Sequence, residues 1–191
     1  RALREEVRRD VCREGWDPAG RTFVQAYGSA SLDASALLIP RLGFLPGGDA
    51  RVRATVRALR GLAHDGFLRR YPAEGPGSDG LPGAEGAFVS CTLWYADALA
   101  ATGHLAEARE VFERVLAVRN DVGLLAEQWD PTAHRQLGNA PKAFSHISLV
   151  ETAFALTRAA ARRAPPAVTP PLPPRTRVPP RPHVPPRTRA G

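Results

Sequence analysis

Residues 87–118 read Ala87-Phe-Val-Ser-Cys-Thr-Leu-Trp-Tyr-Ala-Asp-Ala-Leu-Ala-Ala101, then Thr102-Gly-His104, then Leu105-Ala-Glu-Ala-Arg-Glu-Val-Phe-Glu-Arg-Val-Leu-Ala-Val118. The first block is apolar on most faces and predicts an inside helix over Ala87–Ala101. The second, His104–Val118, is amphipathic. Leu105, Ala108, Val111, Phe112, Val115 and Leu116 form the stripe that a half-buried helix needs. A helix covered all round beside one with a wet face predicts two layers of helices.

The flanking sequence extends that pattern. Residues 1–14 predict a charged helix with Leu3, Val7 and Val11 on one stripe. Gly15–Gly20 break it, with Asp17-Pro18 as a turn, and Arg21–Tyr27 reads as a short extended stretch. A second helix is expected over Asp33–Leu42, buried nearly all round, with Pro40 ending or kinking it. A third spans Ala50–Ala63 after Asp49 as N-cap, with Val52, Val56, Leu59 and Leu62 in register. Long loops follow at Arg70–Gly86 and Asn120–Pro141, and a sixth helix covers Ala143–Arg163. Six helices with long loops on alternate connections predict stacked helical hairpins, an all-α fold. A site would be built from those loops on one rim.

The chain has 191 residues and a formal charge of +7. Residues 164–191 hold 11 of the 19 prolines, five arginines and no acid, which leaves the remainder at +2. A nucleic-acid groove needs clustered cations on the folded surface, so nucleic acid is not an expected partner. No apolar run approaches the ~20 residues of a membrane span, so neither is a membrane. About 160 residues suffice for one ordinary core. The division is therefore a helical domain over 1–163 and a disordered tail over 164–191. Pro-Pro-Arg-Thr-Arg occurs twice in that tail, at 173–177 and 185–189. Such a composition cannot offset its ordering entropy. Methionine is absent and the first residue is Arg1, which predicts a fragment of a longer polypeptide. Cys12 and Cys91 lie far apart and read as free thiols in a reducing compartment.

Three stretches could carry chemistry. Gly123-Leu-Leu-Ala-Glu127-Gln-Trp129-Asp-Pro131 sets a carboxylate after an apolar pair and beside a tryptophan. Desolvation there suits a general base, and tryptophan faces stack on pyranose rings. Arg69-Arg70-Tyr71-Pro72 offers a guanidinium fork for vicinal hydroxyls. Asp79-Gly-Leu-Pro-Gly-Ala-Glu85-Gly86 is a glycine-rich rim that allows close backbone approach. The plain alternative for each is a solvated loop. His64, His104, His134, His146 and His183 fall in no metal-binding spacing, and GxSxG, P-loop and GxGxxG motifs are missing. Neither a metal nor an organic cofactor is expected.

Several of these strings together resemble bacterial members of glycoside hydrolase family 15, the glucoamylase-like and trehalase-like enzymes. The resemblance rests on Phe23-Val-Gln-Ala-Tyr-Gly-Ser29, Leu32-Asp-Ala-Ser35, Val52-Arg-Ala-Thr-Val56, Asp79–Phe88, Arg119–Glu127, Asp130-Pro131, Leu137-Gly-Asn139 and Ala143-Phe-Ser-His146. It covers residues 1–163 and leaves the tail out. It implies the C-terminal half of an (α/α)6 toroid of the six-hairpin type. It also implies inverting hydrolysis of an α-glucoside, trehalose or a malto-oligosaccharide, by two carboxylates. Glu127 falls on the general base. Arg70 and Tyr71 match a glucose-binding motif, Glu85 a neighbouring rim contact, and Trp129 and His146 lie near the site. The general acid belongs to an upstream Gly-Ile-Trp-Glu type of segment that this sequence lacks. The isolated chain is thus expected to be inactive, and the enzyme cytoplasmic.

Two departures stand out in Gly138-Asn-Ala140-Pro-Lys142-Ala-Phe-Ser-His146. Ala140 replaces an aromatic residue of the family pattern and Lys142 an amide. If Lys142 points at the site it lowers the pKa of Glu127; if it points outward it changes nothing. A non-catalytic sugar-binding relic is the alternative function. A helical-repeat scaffold is a further one, since Gly103–Phe112 resembles a tetratricopeptide helix. It lacks a second copy at a period of about 34 residues.

Overall fold

The computed structural model describes residues 1–72 and 85–163. The string from Asp79 to Ala84 and the tail from residue 164, with the disorder expected of it, lie outside the described residues. Among the described residues six α-helices form the framework: α1 (Ala2–Glu14), α2 (Leu38–Arg41), α3 (Ala50–Leu59), α4 (Val89–Ala101), α5 (Leu105–Ala117) and α6 (Ala143–Arg163).

The centre is α4, buried without interruption from Val89 to Leu99. It packs against α5, α6, α2 and the 3-10 turn Ala34–Leu37. Its apolar and small side chains tolerate burial on every face. Its buried polar groups need partners; Thr92 and one oxygen of Asp97 find them, while Asp97 Oδ1 has no hydrogen-bond partner among the described residues. Thr92 Oγ1 donates to Phe88 O and accepts from Leu68 N, both at 2.9 Å. Asp97 Oδ2 meets Arg41 Nη1 at 3.1 Å, and Arg41 also pairs with Glu151 of α6. Burial pushes the Asp97 carboxyl above its ordinary value.

The neighbouring helices follow their stripes. α5 buries Leu105, Ala108, Val111 and Val115. α3 buries Val52, Val56 and Leu59, and Leu62 follows them in a 3-10 turn. Asp49 caps α3 by accepting from Arg51 N at 2.8 Å.

Other expectations fail in instructive ways. The segment Asp33–Leu42 is a capped 3-10 turn running into the short α2, not one helix. Asp33 Oδ1 accepts from Ser35 N at 2.7 Å, and Pro40 lacks an N–H to extend a longer helix. Ala34 and Leu37 are buried, but Leu42 is exposed, so the segment is covered on one side. On α1, Leu3 and Val7 point to solvent. α6 has the range expected for it, Ala143–Arg163, but turns its large apolar side chains outward. Ser145, Ser148, Thr152 and Leu156 face inward, whereas Phe144, Ile147, Val150 and Phe154 are about half exposed or more on the opposite face. The small inward side chains let α6 lie close to α4, where Thr152 Oγ1 donates to Leu93 O at 3.3 Å.

Short strands appear as well: one in the stretch expected to be extended, Arg21–Tyr27, others in loops, and one at Ala87–Phe88, where the sequence reading began a helix that starts at Val89. β1 (Trp16–Asp17) pairs antiparallel with β2 (Thr22–Phe23), Trp16 opposite Phe23. β3 (Ala63–His64) pairs with β4 (Phe67–Leu68) through Asp65 and Gly66, at φ 48° and 80°. Two residues of positive φ are what a tight hairpin turn demands. β5 (Ala87–Phe88), β6 (Gln128–Asp130) and β7 (Arg135–Leu137) form a three-stranded sheet in that order. It roofs a cluster of Phe67, Ala87, Val89, Leu93, Val115 and Leu125. This sheet carries the second long loop across the N-terminal end of α4.

Candidate active site

Glu127 immediately precedes β6, and the chain around it is braced by its own hydrogen bonds. Asn120 Oδ1 accepts from Val122 N and Leu124 N at 3.2 and 2.7 Å, closing a turn through Gly123 at φ 83°. Gln136 of β7 donates to Val118 O at 3.0 Å and Leu124 O at 3.2 Å, and accepts from Ala126 N. Leu125 and Ala126 are buried. Glu127 O accepts from Val89 N at 3.1 Å and Glu127 N donates to Asn139 O at 2.9 Å. The residue is thus tied to α4 on one side and to the loop before α6 on the other.

His146 closes the frame. Its Nε2 accepts from Leu125 N at 3.3 Å, which leaves Nδ1 to donate to Lys142 O at 2.8 Å. Ser145 Oγ donates to Ala126 O at 2.8 Å. Both side chains staple the start of α6 to the Glu127 segment.

The carboxylate of Glu127 is 24% exposed. Oε2 accepts from Asn139 Nδ2 at 2.9 Å and Asn139 N at 3.3 Å; Oε1 accepts from Lys142 Nζ at 2.7 Å. Lys142 therefore points at the site. Its hydrogen bond, helped by those of Asn139 and opposed by partial burial, holds the Glu127 carboxyl below its ordinary value. Glu127 is an ionised acceptor at neutral pH.

Glu127 and Lys142 line a cavity of about 130 Å³ together with Arg70, Trp94 and Phe144. Trp94 of α4 and Phe144 of α6 meet edge-to-face at 5.6 Å. Arg70 follows β4. Its Nη2 lies 3.6 Å from Asp33 Oδ2, its guanidinium 4.8 Å from the Tyr71 ring centre, and its carbonyl accepts from Ala34 N at 3.0 Å. Asp33 holds the arginine from behind, leaving part of the fork for a ligand. An ionised carboxylate, a guanidinium and aromatic walls in one recess suit a hydroxyl-rich ligand with apolar ring faces.

The remaining sequence candidates fall elsewhere. Trp129 packs its ring on Phe67 and His134, at 6.0 and 6.4 Å, with the cluster beneath the sheet. It is not among the residues lining the Glu127 cavity. Glu85 is exposed just before β5. The tryptophan at the cavity is Trp94, which sequence reasoning assigned to the core. Its signal was a large indole among alanines, serine and threonine on a helix leading out of the rim. Cys91 also lines the cavity. Burial pushes its thiol up to about 12, so it is no thiolate nucleophile. Among the described residues, no group of three or more His, Cys, Asp or Glu could hold a metal ion, and no helix is long and apolar enough to cross a membrane. A larger cavity, about 560 Å³ between the β3–β4 hairpin and α5, has a separate lining whose Arg60 and Glu107 pair with each other.

A family model described as glycosyl hydrolases family 15 matches residues 1–154. The chain belongs to that family. A trehalase of Mycolicibacterium smegmatis is 41% identical over 160 residues, spanning 83% of this chain and 24% of the relative. A trehalase of Thermoplasma volcanium is 38% identical over 165 residues, spanning 85% of this chain and 26% of the relative. The chain thus spans about a quarter of the family 15 relatives it matches. A wild-type glycosidase structure superposes with a TM-score of 0.68 at 23% identity, covering 82% of this chain and 43% of that one. A glycosidase variant in complex with glucose gives 0.68 at 22% identity, with the same coverage. At that identity the likeness speaks for the fold, which is the helical fold of glycosidases.

Proposed function

We propose that this family 15 chain is the C-terminal half of an (α/α)6 toroid in an inverting α-glucoside hydrolase, with Glu127 as general base. The observation that carries the reading is the joint placement of the ionised Glu127 carboxylate and the Arg70 guanidinium in one aromatic-walled recess. Arg70 donates to hydroxyls of the bound glucosyl ring. Glu127 takes a proton from a water as that water's oxygen bonds to the anomeric carbon. The bond to the leaving oxygen breaks on the opposite face, and that oxygen takes a proton from a second carboxyl group. Inverting enzymes keep roughly 6.5–9.5 Å between the two carboxyls to make room for the water.

Among the described residues Glu127 is the one carboxylate lining this cavity. The family resemblance assigns the general acid to an upstream Gly-Ile-Trp-Glu type of segment that this sequence lacks, and on that reading the isolated chain is inert. The half-exposed stripe of α6 supports the same division. Ile147, Val150 and Phe154 are an inner-ring face that helices of the other half cover. Among α-glucosides, trehalose is favoured because the relatives at 38–41% identity are named trehalases. Malto-oligosaccharides are the alternative. A sugar-binding relic is the second reading, favoured by the ion pair of Lys142, which weakens Glu127 as a base.

Proton NMR of the first glucose released by the longest natural polypeptide containing this chain tests the stereochemistry. If the enzyme inverts, trehalose gives α- and β-glucose in equal initial amounts, and the glucose cut from the non-reducing end of maltotetraose appears as the β-anomer. Only α-glucose from trehalose, or α-glucose first from maltotetraose, would contradict it. A folded protein without turnover on either sugar class favours the relic.

A further inference from the structure

Lys142 is the one lysine in the sequence, and its ammonium sits on the carboxylate proposed as the base. A carboxylate offers about four acceptor positions. On Glu127 three are used: two on Oε2 by Asn139 and one on Oε1 by Lys142. The open position is on Oε1, so a water's proton goes to the oxygen that Lys142 touches. Both side chains are only partly exposed, 30% and 24%, which limits solvent screening of the pair. The backbone doubles the link, since Lys142 N donates to Leu125 O at 3.0 Å. His146 fixes Lys142 O from α6. The ammonium is aimed by the loop, not by chance of a free side chain.

We propose that Lys142 is a positioning residue for Glu127, which orients the carboxylate through Oε1 and carries the working pH range of the site toward acid. This rests on the reading of Glu127 as general base. The other ionisable groups around Glu127 do not duplicate the effect. Arg70, from the segment after β4, shares the cavity but faces Asp33. Cys91 of α4 is held as the neutral thiol by burial. His146 of α6 has both ring nitrogens engaged with backbone. An adjacent cation stabilises the ionised carboxylate, so the base stays competent at lower pH. A base so stabilised is also a weaker one.

The test compares wild type, Lys142→Gln and Lys142→Arg in the longest natural polypeptide containing this chain. The measurement is kcat and KM for trehalose and for maltotetraose against pH, with thermal melts to establish folding. In Lys142→Gln the acid limb of kcat is expected to move to higher pH. Lys142→Arg, which keeps the charge, restores the wild-type limb. KM is expected to change less than the acid limb of kcat, since the sugar hydroxyls are assigned to Arg70 and the Lys142 ammonium is engaged with Glu127. Superimposable acid limbs for wild type and Lys142→Gln would overturn the proposal. If wild type turns over neither sugar, the hydrolase reading fails by itself. A 13C-carboxyl titration, with Glu127→Gln identifying the signal, then reads the pair directly. Glu127 titrating lower in wild type than in Lys142→Gln supports the clamp; equal titration overturns it. Should Lys142→Gln melt early, wild type against Lys142→Arg in the same titration must agree, and a Glu127 signal at its ordinary value in both refutes the clamp.

Discussion

A Cβ on Gly138 would lie 3.0 Å from Oε2 of Glu127 and 3.1 Å from its Cβ. Gly138 also has φ 75°, a conformation that costs an ordinary residue roughly 1–2 kcal/mol. Gly138→Ala is therefore expected to strain the loop and push the carboxylate off Asn139 at once. The expected result is a fall in kcat larger than the loss of thermal stability accounts for at a temperature where the variant remains folded. Unchanged kcat in a folded Gly138→Ala protein would show that Glu127 need not be held where it is.

Arg41 and Asp97 tie α2 to α4, and Glu151 extends the pair to α6. Asp97 is 7% exposed, so Arg41→Ala leaves a buried carboxylate without its cation. The cost is about 3–5 kcal/mol at neutral pH, read by chemical denaturation. The sign with pH follows from burial, which raises the folded pKa of Asp97. A carboxyl raised on folding favours the fold below its unfolded pKa, and that favour is lost as pH rises through the folded value. The penalty of Arg41→Ala is thus expected to shrink in acid, where Asp97 is protonated. A penalty independent of pH would contradict the assignment.

Phe154 is 60% exposed on α6, in line with Ile147 and Val150. If helices of the other half-toroid cover this stripe, Phe154→Ala costs about 3–5 kcal/mol in the longer polypeptide. In the 191-residue chain the same change costs about 0.5 kcal/mol or less. Parallel melts of both lengths check it. Equal effects would mean that the stripe has no intramolecular cover.

The layers were legible because α4 and α5 carry opposite kinds of apolar pattern, and each pattern has one structural answer. Glu127 was proposed as the base through the family resemblance, and the structure brings it into one cavity with Arg70. The short strands were not, because two or three residues offer no alternation to count. The β3–β4 hairpin could still have been found, since Asp65-Gly66 between apolar pairs is a strong turn signal. Trp94 was hidden for another reason. A buried helix gives no sign of which end opens onto a cavity, whereas Trp129 sits in a motif that invites attention and packs away from it. For α6 the bounds were legible but the buried face was not, and its large apolar residues turn away from the described core. Lys142 was posed by the sequence as a choice of two directions, and only a side-chain position could decide it.

Glucose release by the longest natural polypeptide containing this chain, wild type against Glu127→Gln, is the most direct test of the central claim. Trehalose, maltose, maltotetraose and isomaltose are the substrates, and a melt establishes that the variant folds. Wild type is expected to release glucose from at least one of them, and Glu127→Gln to lose roughly 100- to 10,000-fold in kcat. A folded Glu127→Gln protein that matches wild type on every sugar would contradict Glu127 as the general base.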